Sequence, residues 1–92
     1  MKKKVKRWTD GDSGVFKDGT RFRLARVRAP EHHQFGGKNA TKVAAGMTSR
    51  SGGNVQVKRV GSSYGRSVVE MRNQDGSINN RMRSRGYRNK GR

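Results

Sequence analysis

The 92-residue sequence contains no cysteine, so no disulfide can brace the fold, and the redox compartment is left open. It has a single proline, Pro30, and only 6 Asp and Glu against 23 Lys and Arg. Leu, Ile, Val and Phe together number only 14, too few for a large core. A chain this short has little stability to spare, and self-repulsion among its cations lowers it further. No apolar run is long enough to cross a membrane. The basic run from Lys2 to Arg7 leads into Trp8-Thr9-Asp10 rather than an apolar stretch, so it is not a secretory signal. The expectation is a cytoplasmic protein, or a secreted one whose signal peptide has been removed.

What is present is positive charge. A formal net charge of +17 and a pI near 11.8 are the electrostatic footprint of a DNA or RNA partner, bound through counterion release from phosphates. An anionic membrane surface is disfavoured, because no basic helix carries a strong apolar face. A single small domain of this kind is expected to act as a monomer.

Along the chain, residues 1–7 read as a basic leader, 8–87 as the domain and 88–92 as a basic tail that orders on nucleic acid. Asp10-Gly11-Asp12-Ser13-Gly14 and Asp18-Gly19 are turn sequences flanking short apolar runs, so the opening third reads as a three-stranded meander. Phe22, Leu24 and Val27 favour an extended segment, and the alternation that slips after Leu24 points to a bulge or a sharply coiled barrel strand. Pro30 cannot donate to a sheet ladder, so that strand should end there and present Glu31. His32 and His33 beside Glu31 do not make a transition-metal site, because adjacent loop residues do not converge and no third ligand is in view.

Ala40, Val43, Ala44 and Met47 fall on one helical face, and Gly52-Gly53 stops the helix. Val55, Val57 and Val60 alternate with polar residues as a strand, and Ser67 to Met71 makes another, with Tyr64-Gly65-Arg66 at their connection. Asp75-Gly76-Ser77 supplies a turn and an N-cap for a short basic helix with Ile78 and Met82 on its apolar face. Arg81, Arg83 and Arg85 should crowd its surface, ready for phosphate.

Asp10-Gly11-Asp12, Arg23-Leu24, Ala29-Pro30-Glu31 and Tyr64-Gly65-Arg66 occur in the order of the staphylococcal nuclease family, which the chain resembles over nearly all its length after the leader. Gly37 to Thr41 is similar to the start of that family's first helix, Asn54 to Val57 to the following strand, and Gly76 to Asn80 to the next helix. The resemblance implies an α+β, mainly β fold: a five-stranded oligonucleotide-binding (OB-fold) barrel with two short helices. It further implies a nonspecific nuclease in which Glu31 assists an attacking water while Arg23 and Arg66 neutralise phosphoryl charge. A Ca2+ ion would be held by Asp12 and the Ala29 backbone carbonyl, with Asp10 as a further candidate.

Arg28 departs from the family pattern, standing where the second calcium-binding aspartate belongs. At an effective dielectric near 20, unit charges about 4 Å apart interact by roughly 4 kcal/mol, so aspartate-to-arginine beside a divalent ion reverses an attraction of about 8 kcal/mol. Three outcomes are open: Arg28 swings out and Asp10 or water completes a weaker site, its guanidinium takes the metal's part, or catalysis is lost and binding kept. The alternative function is therefore a noncatalytic nucleic-acid-binding protein of a ribonucleoprotein particle. In either case Arg28, Tyr64, Lys58, Arg81 and Arg85 are the expected nucleic-acid contacts, with Tyr64 or Trp8 for stacking.

Overall fold

A computed structural model describes residues 1–88. Residues 89–92, most of the expected basic tail, lie outside the described residues. Six strands and two helices run in the order β1 (Lys2–Asp10), β2 (Ser13–Phe16), β3 (Arg21–Leu24), α1 (Gly37–Ser49), β4 (Asn54–Ser63), β5 (Arg66–Asn73), β6 (Gly76–Ser77) and α2 (Ile78–Ser84). The sheet order is β3-β2-β1-β4-β5-β6, and a parallel β3–β5 pairing closes it into a ring. All its other pairings are antiparallel. The opening meander is present, turning at Gly11-Asp12 and again at Asp18-Gly19, where Gly19 has φ 92° and the Asp18 carboxylate accepts the Thr20 N–H.

The ring is filled by Val5, Phe16, Phe22, Leu24, Val27, Val55, Val57, Val69 and Met71 and closed by Ala44 and Met47 of α1 and Ile78 and Met82 of α2. Phe16 stacks on Phe22 at 4.5 Å between centroids, and Trp8 meets Phe22 edge-on at 5.0 Å. These three rings supply much of what so few aliphatic residues cannot. The Trp8 indole N–H donates to Thr48 Oγ1 at 2.9 Å and ties α1 to β1. On α1 the expected face holds: Ala40, Ala44 and Met47 are buried and Val43 is half-buried.

Four expectations need correction. The sheet has six strands where five are expected, because Gly76 and Ser77 pair with Asn73 and Arg72 as a short sixth strand. The first strand begins at Lys2, not Trp8, because Val5 inserts into the core and the residues around it pair with β2 and β4. The strand through Arg23 ends at Leu24, not Pro30. Arg26 turns the chain in the left-handed region (φ 59°), and Val27 then re-enters the core, so a turn rather than a bulge breaks the alternation. Val60 is 51% exposed: three residues past Val57 it falls with Gln56 and Lys58 on the outward side of β4, and it is left unpaired where the register shifts between Arg59 and Gly61.

Two polar devices hold the ends of these elements in place. Buried Asn79 accepts the Met71 N–H at 2.9 Å and donates to the carbonyls of Ala25 and Val69, at 3.1 and 3.0 Å, pinning the end of β3 to β5. Ser77 caps α2 by accepting the Asn80 N–H, as its place after Asp75-Gly76 leads one to expect.

Candidate functional site

Asp10 ends β1, and Asp12 sits in the turn to β2. The β2–β3 pairing sets Ser13 against Arg23, so Arg23 comes up beside that turn, and the Leu24 N–H donates to the Asp12 carbonyl at 2.8 Å. Phe22 and Leu24 point into the core, which leaves Arg23 on the opposite face of β3. The parallel pairing of Phe22 with Ser67 brings in Arg66, the first residue of β5. Tyr64 and Gly65, both at positive φ (50° and 75°), make the tight hairpin turn just before it.

The segment after β3 completes the cluster. Asp12 accepts the Ala29 N–H at 3.2 Å, and Asp10 accepts the His32 N–H at 2.7 Å, so the two aspartates clamp the loop that carries Glu31. Within that loop the Glu31 N–H donates to the Gln34 side chain and the Gln34 N–H returns to the Glu31 carbonyl, both at 2.8 Å. Gly37, which opens α1, lies hard against this turn: a Cβ there would sit 1.7 Å from the Glu31 carbonyl oxygen.

The result is an open cavity of about 270 Å³ lined by Asp10, Asp12, Arg23, Arg28, Ala29, Glu31, Gln34 and Arg66. It thus brings together the expected catalytic residues Arg23, Glu31 and Arg66, the expected metal residues Asp12, Ala29 and Asp10, and Arg28. Sequence patterns do not point to Gln34 or Gly37. Gln34 sits in a loop with no periodicity, and the role of Gly37 depends on how closely α1 packs on Glu31. The Glu31 carboxylate is exposed and lies 3.3 Å from His33 Nε2.

Charge in the cavity is mixed, three arginines against three carboxylates. Burial pushes the Asp12 carboxyl above its usual range, a rise opposed by the Ala29 N–H and the nearby Arg23 and reinforced by Asp10. The residues present do not fit a calcium ion. Such an ion wants six to eight oxygens, including carboxylates. One oxygen of Asp10 and one of Asp12 accept hydrogen bonds from the loop, and the cationic Arg28 lines the cavity beside them. Among the described residues no group of three His, Asp or Glu side chains is arranged to hold a metal.

The remaining expected contacts lie outside the cavity. Tyr64 stands 90% exposed at the tip of the β4–β5 hairpin, two residues from Arg66. Lys58 faces outward on β4, opposite Glu70. The arginines of α2 do not crowd its surface as expected: Arg81 and Arg83 are half-buried, and Arg83 donates to the Ala25 carbonyl at 3.0 Å. Only Arg85 of the three is fully at the surface. No protein-family model matches this chain, and no curated protein matches it.

Proposed function

We propose that this chain is a small nonspecific nuclease of the staphylococcal nuclease type, hydrolysing phosphodiester bonds of DNA or RNA, and that its ring of strands is an oligonucleotide-binding barrel. The observation carrying the reading is convergence: Arg23, Glu31, Arg66 and Asp12, far apart in sequence, line one open, strongly polar cavity. Arginine stays ionised and offers a fork that matches two phosphate oxygens, so Arg23 and Arg66 take the non-bridging oxygens of the scissile phosphate. Glu31, exposed at the rim, accepts the proton of a water whose oxygen attacks phosphorus. The P–O ester bond then breaks, and solvent protonates the departing oxygen. Arg28 adds fixed positive charge as negative charge builds on the phosphoryl group, and no step of this scheme passes through a metal ion.

A second reading, a noncatalytic nucleic-acid-binding protein on the same fold, is favoured by the loop-clamping role of Asp10 and Asp12 and by Arg28 in the cavity. Digestion of single-stranded DNA and of RNA with calcium, with magnesium and with chelator, beside Glu31→Gln, separates the two. Cleavage that survives chelator and is lost in Glu31→Gln supports the metal-free scheme. Metal-dependent cleavage restores calcium to the mechanism. Binding without cleavage in every arm leaves the second reading.

A further inference from the structure

The basic run at the start of the chain is not a loose arm but one face of a paired strand. Lys2 and Lys4 flank the half-buried Lys3, whose ammonium group is engaged by Asp18 and lies over the Phe16 ring. Val5 is buried, and Lys6 is exposed where the register with β2 shifts. Lys2, Lys4 and Lys6 therefore stand on the solvent side of β1. Lys17 joins them beside Lys4, since its N–H donates to the Lys4 carbonyl at 2.8 Å. The neighbours across the ladder are neutral or cationic: Gln56 opposite Lys2, Asn54 opposite Lys4, and Arg72 opposite Gln56.

No acid relieves this row. Asp10, Asp12 and Glu31 line the cavity, Asp18 pairs with Lys3, and Asp75 pairs with Arg50. Glu70 stands opposite Lys58, two residues along β4 from Gln56. Residues two apart in a strand are about 6.6 Å apart, a spacing that consecutive phosphates of an extended nucleic-acid strand can match. Lys2 lies eight residues from Asp10, so the row extends up to about 26 Å along β1 from the cavity.

We infer that the outer face of β1 is a second polyanion surface, on which Lys2, Lys4, Lys6 and Lys17 grip the backbone of a nucleic-acid strand too long to be held by the cavity alone. The inference rests on the proposed nucleic-acid function and adds to it a dependence on substrate length. The surface reads no sequence, because it offers ammonium groups to phosphates and no shaped pocket to bases. It also removes a cost of folding, since a bound strand screens the mutual repulsion of these lysines.

The test compares Lys4→Gln/Lys6→Gln with Lys38→Gln/Lys42→Gln, an equal loss of charge placed on exposed positions of α1. Each is titrated by fluorescence anisotropy with an oligothymidylate of about 20 nucleotides, with a trinucleotide and with vesicles rich in anionic lipid. For the β1 variant the expected result is about tenfold weaker binding of the long strand at low salt. The slope of log affinity on log salt should fall by about 1.4, with trinucleotide binding unchanged. The α1 variant should stay near wild type, and the long strand should raise the melting temperature of wild type more than that of the β1 variant.

Equal effects of the two variants would reduce the surface to net charge and overturn the inference. So would equal weakening for the trinucleotide and the long strand, or a loss confined to vesicles. A wild type that binds the long strand through β1 but neither binds nor cleaves through the cavity would overturn the proposed nuclease and leave this surface standing. No nucleic-acid binding at all would overturn both.

Discussion

Replacing Gly37 by alanine tests whether Glu31 is where the chemistry needs it. The added Cβ would lie 1.7 Å from the Glu31 carbonyl oxygen and 2.6 Å from its carbon, whereas ordinary contact begins at 3.4 Å. The backbone of Glu31 or the first turn of α1 must therefore move by about 1.7 Å, which closes that gap. The helix has little freedom to give way, because Ala40, one turn on, is packed so closely on Gly11 that a Cβ there would be 2.8 Å from its own. Overpacking of this size costs about 1–3 kcal/mol. For a domain of this length that is a melting-temperature drop of roughly 4–8 °C per kcal/mol. A misplacement of an ångström or more at a reacting group costs on the order of 100-fold in rate, so cleavage should fall at least that far at a temperature where the variant is folded.

The matched control is Gly46→Ala in the same helix, where a Cβ meets nothing. It should gain about 0.5–1 kcal/mol and cleave normally. The assays are thermal unfolding by circular dichroism and cleavage of single-stranded DNA. A Gly37→Ala protein that is destabilised yet cleaves at the wild-type rate refutes the assignment of Glu31.

Asn79→Ala leaves the buried Met71 N–H without its acceptor, while the Ala25 and Val69 carbonyls keep other donors, so the loss should be about 2–4 kcal/mol, cavity included. A melting temperature within a few degrees of wild type would contradict the pinning role. Asp12, whose carboxyl is held above its usual value of 3.8 by burial, makes the native state keep a proton that the unfolded chain releases, so its contribution declines as pH rises through the carboxylate range. Asp12→Asn should therefore be at least as stable as wild type at pH 7, with the difference vanishing below 3.8, as read from urea denaturation across pH. Asp18 has the opposite sign. The Lys3 ammonium holds its carboxyl down at about 2, so the stability it adds is present above 3.8 and lost as pH falls through about 2, and Asp18→Asn should abolish that dependence.

The parts of this architecture legible in the sequence were those written in local patterns. The turns at Asp10-Gly11-Asp12 and Asp18-Gly19 carry their own chemistry, and α1 shows its buried face at helical spacing through Ala40, Ala44 and Met47. Asn79 reads in the sequence only as part of a helix start, because its three hydrogen bonds go to residues of other elements. The lysine run reads as solvated because one small residue, Val5, anchors it, and pairing with β2 and β4 does the rest. For the site, it is the resemblance to a known family's motifs, and not residue patterns alone, that brings seven lining residues into view. What those motifs do not hold is use: Asp10 and Asp12 spend hydrogen bonds on the Glu31 loop, and Arg83 turns inward to the Ala25 carbonyl. These roles depend on the turn at Arg26, which no alternation pattern encodes.

The central claim is that one cavity both binds a phosphodiester and hydrolyses it with Glu31, and the most direct measurement takes binding and cleavage from the same Glu31→Gln protein on the same oligonucleotide. Affinity should stay close to wild type, because Arg23, Arg28 and Arg66 are untouched, with single-turnover cleavage lowered by about 100-fold or more. Equal cleavage by the two proteins, or none by either while both bind, would contradict the claim.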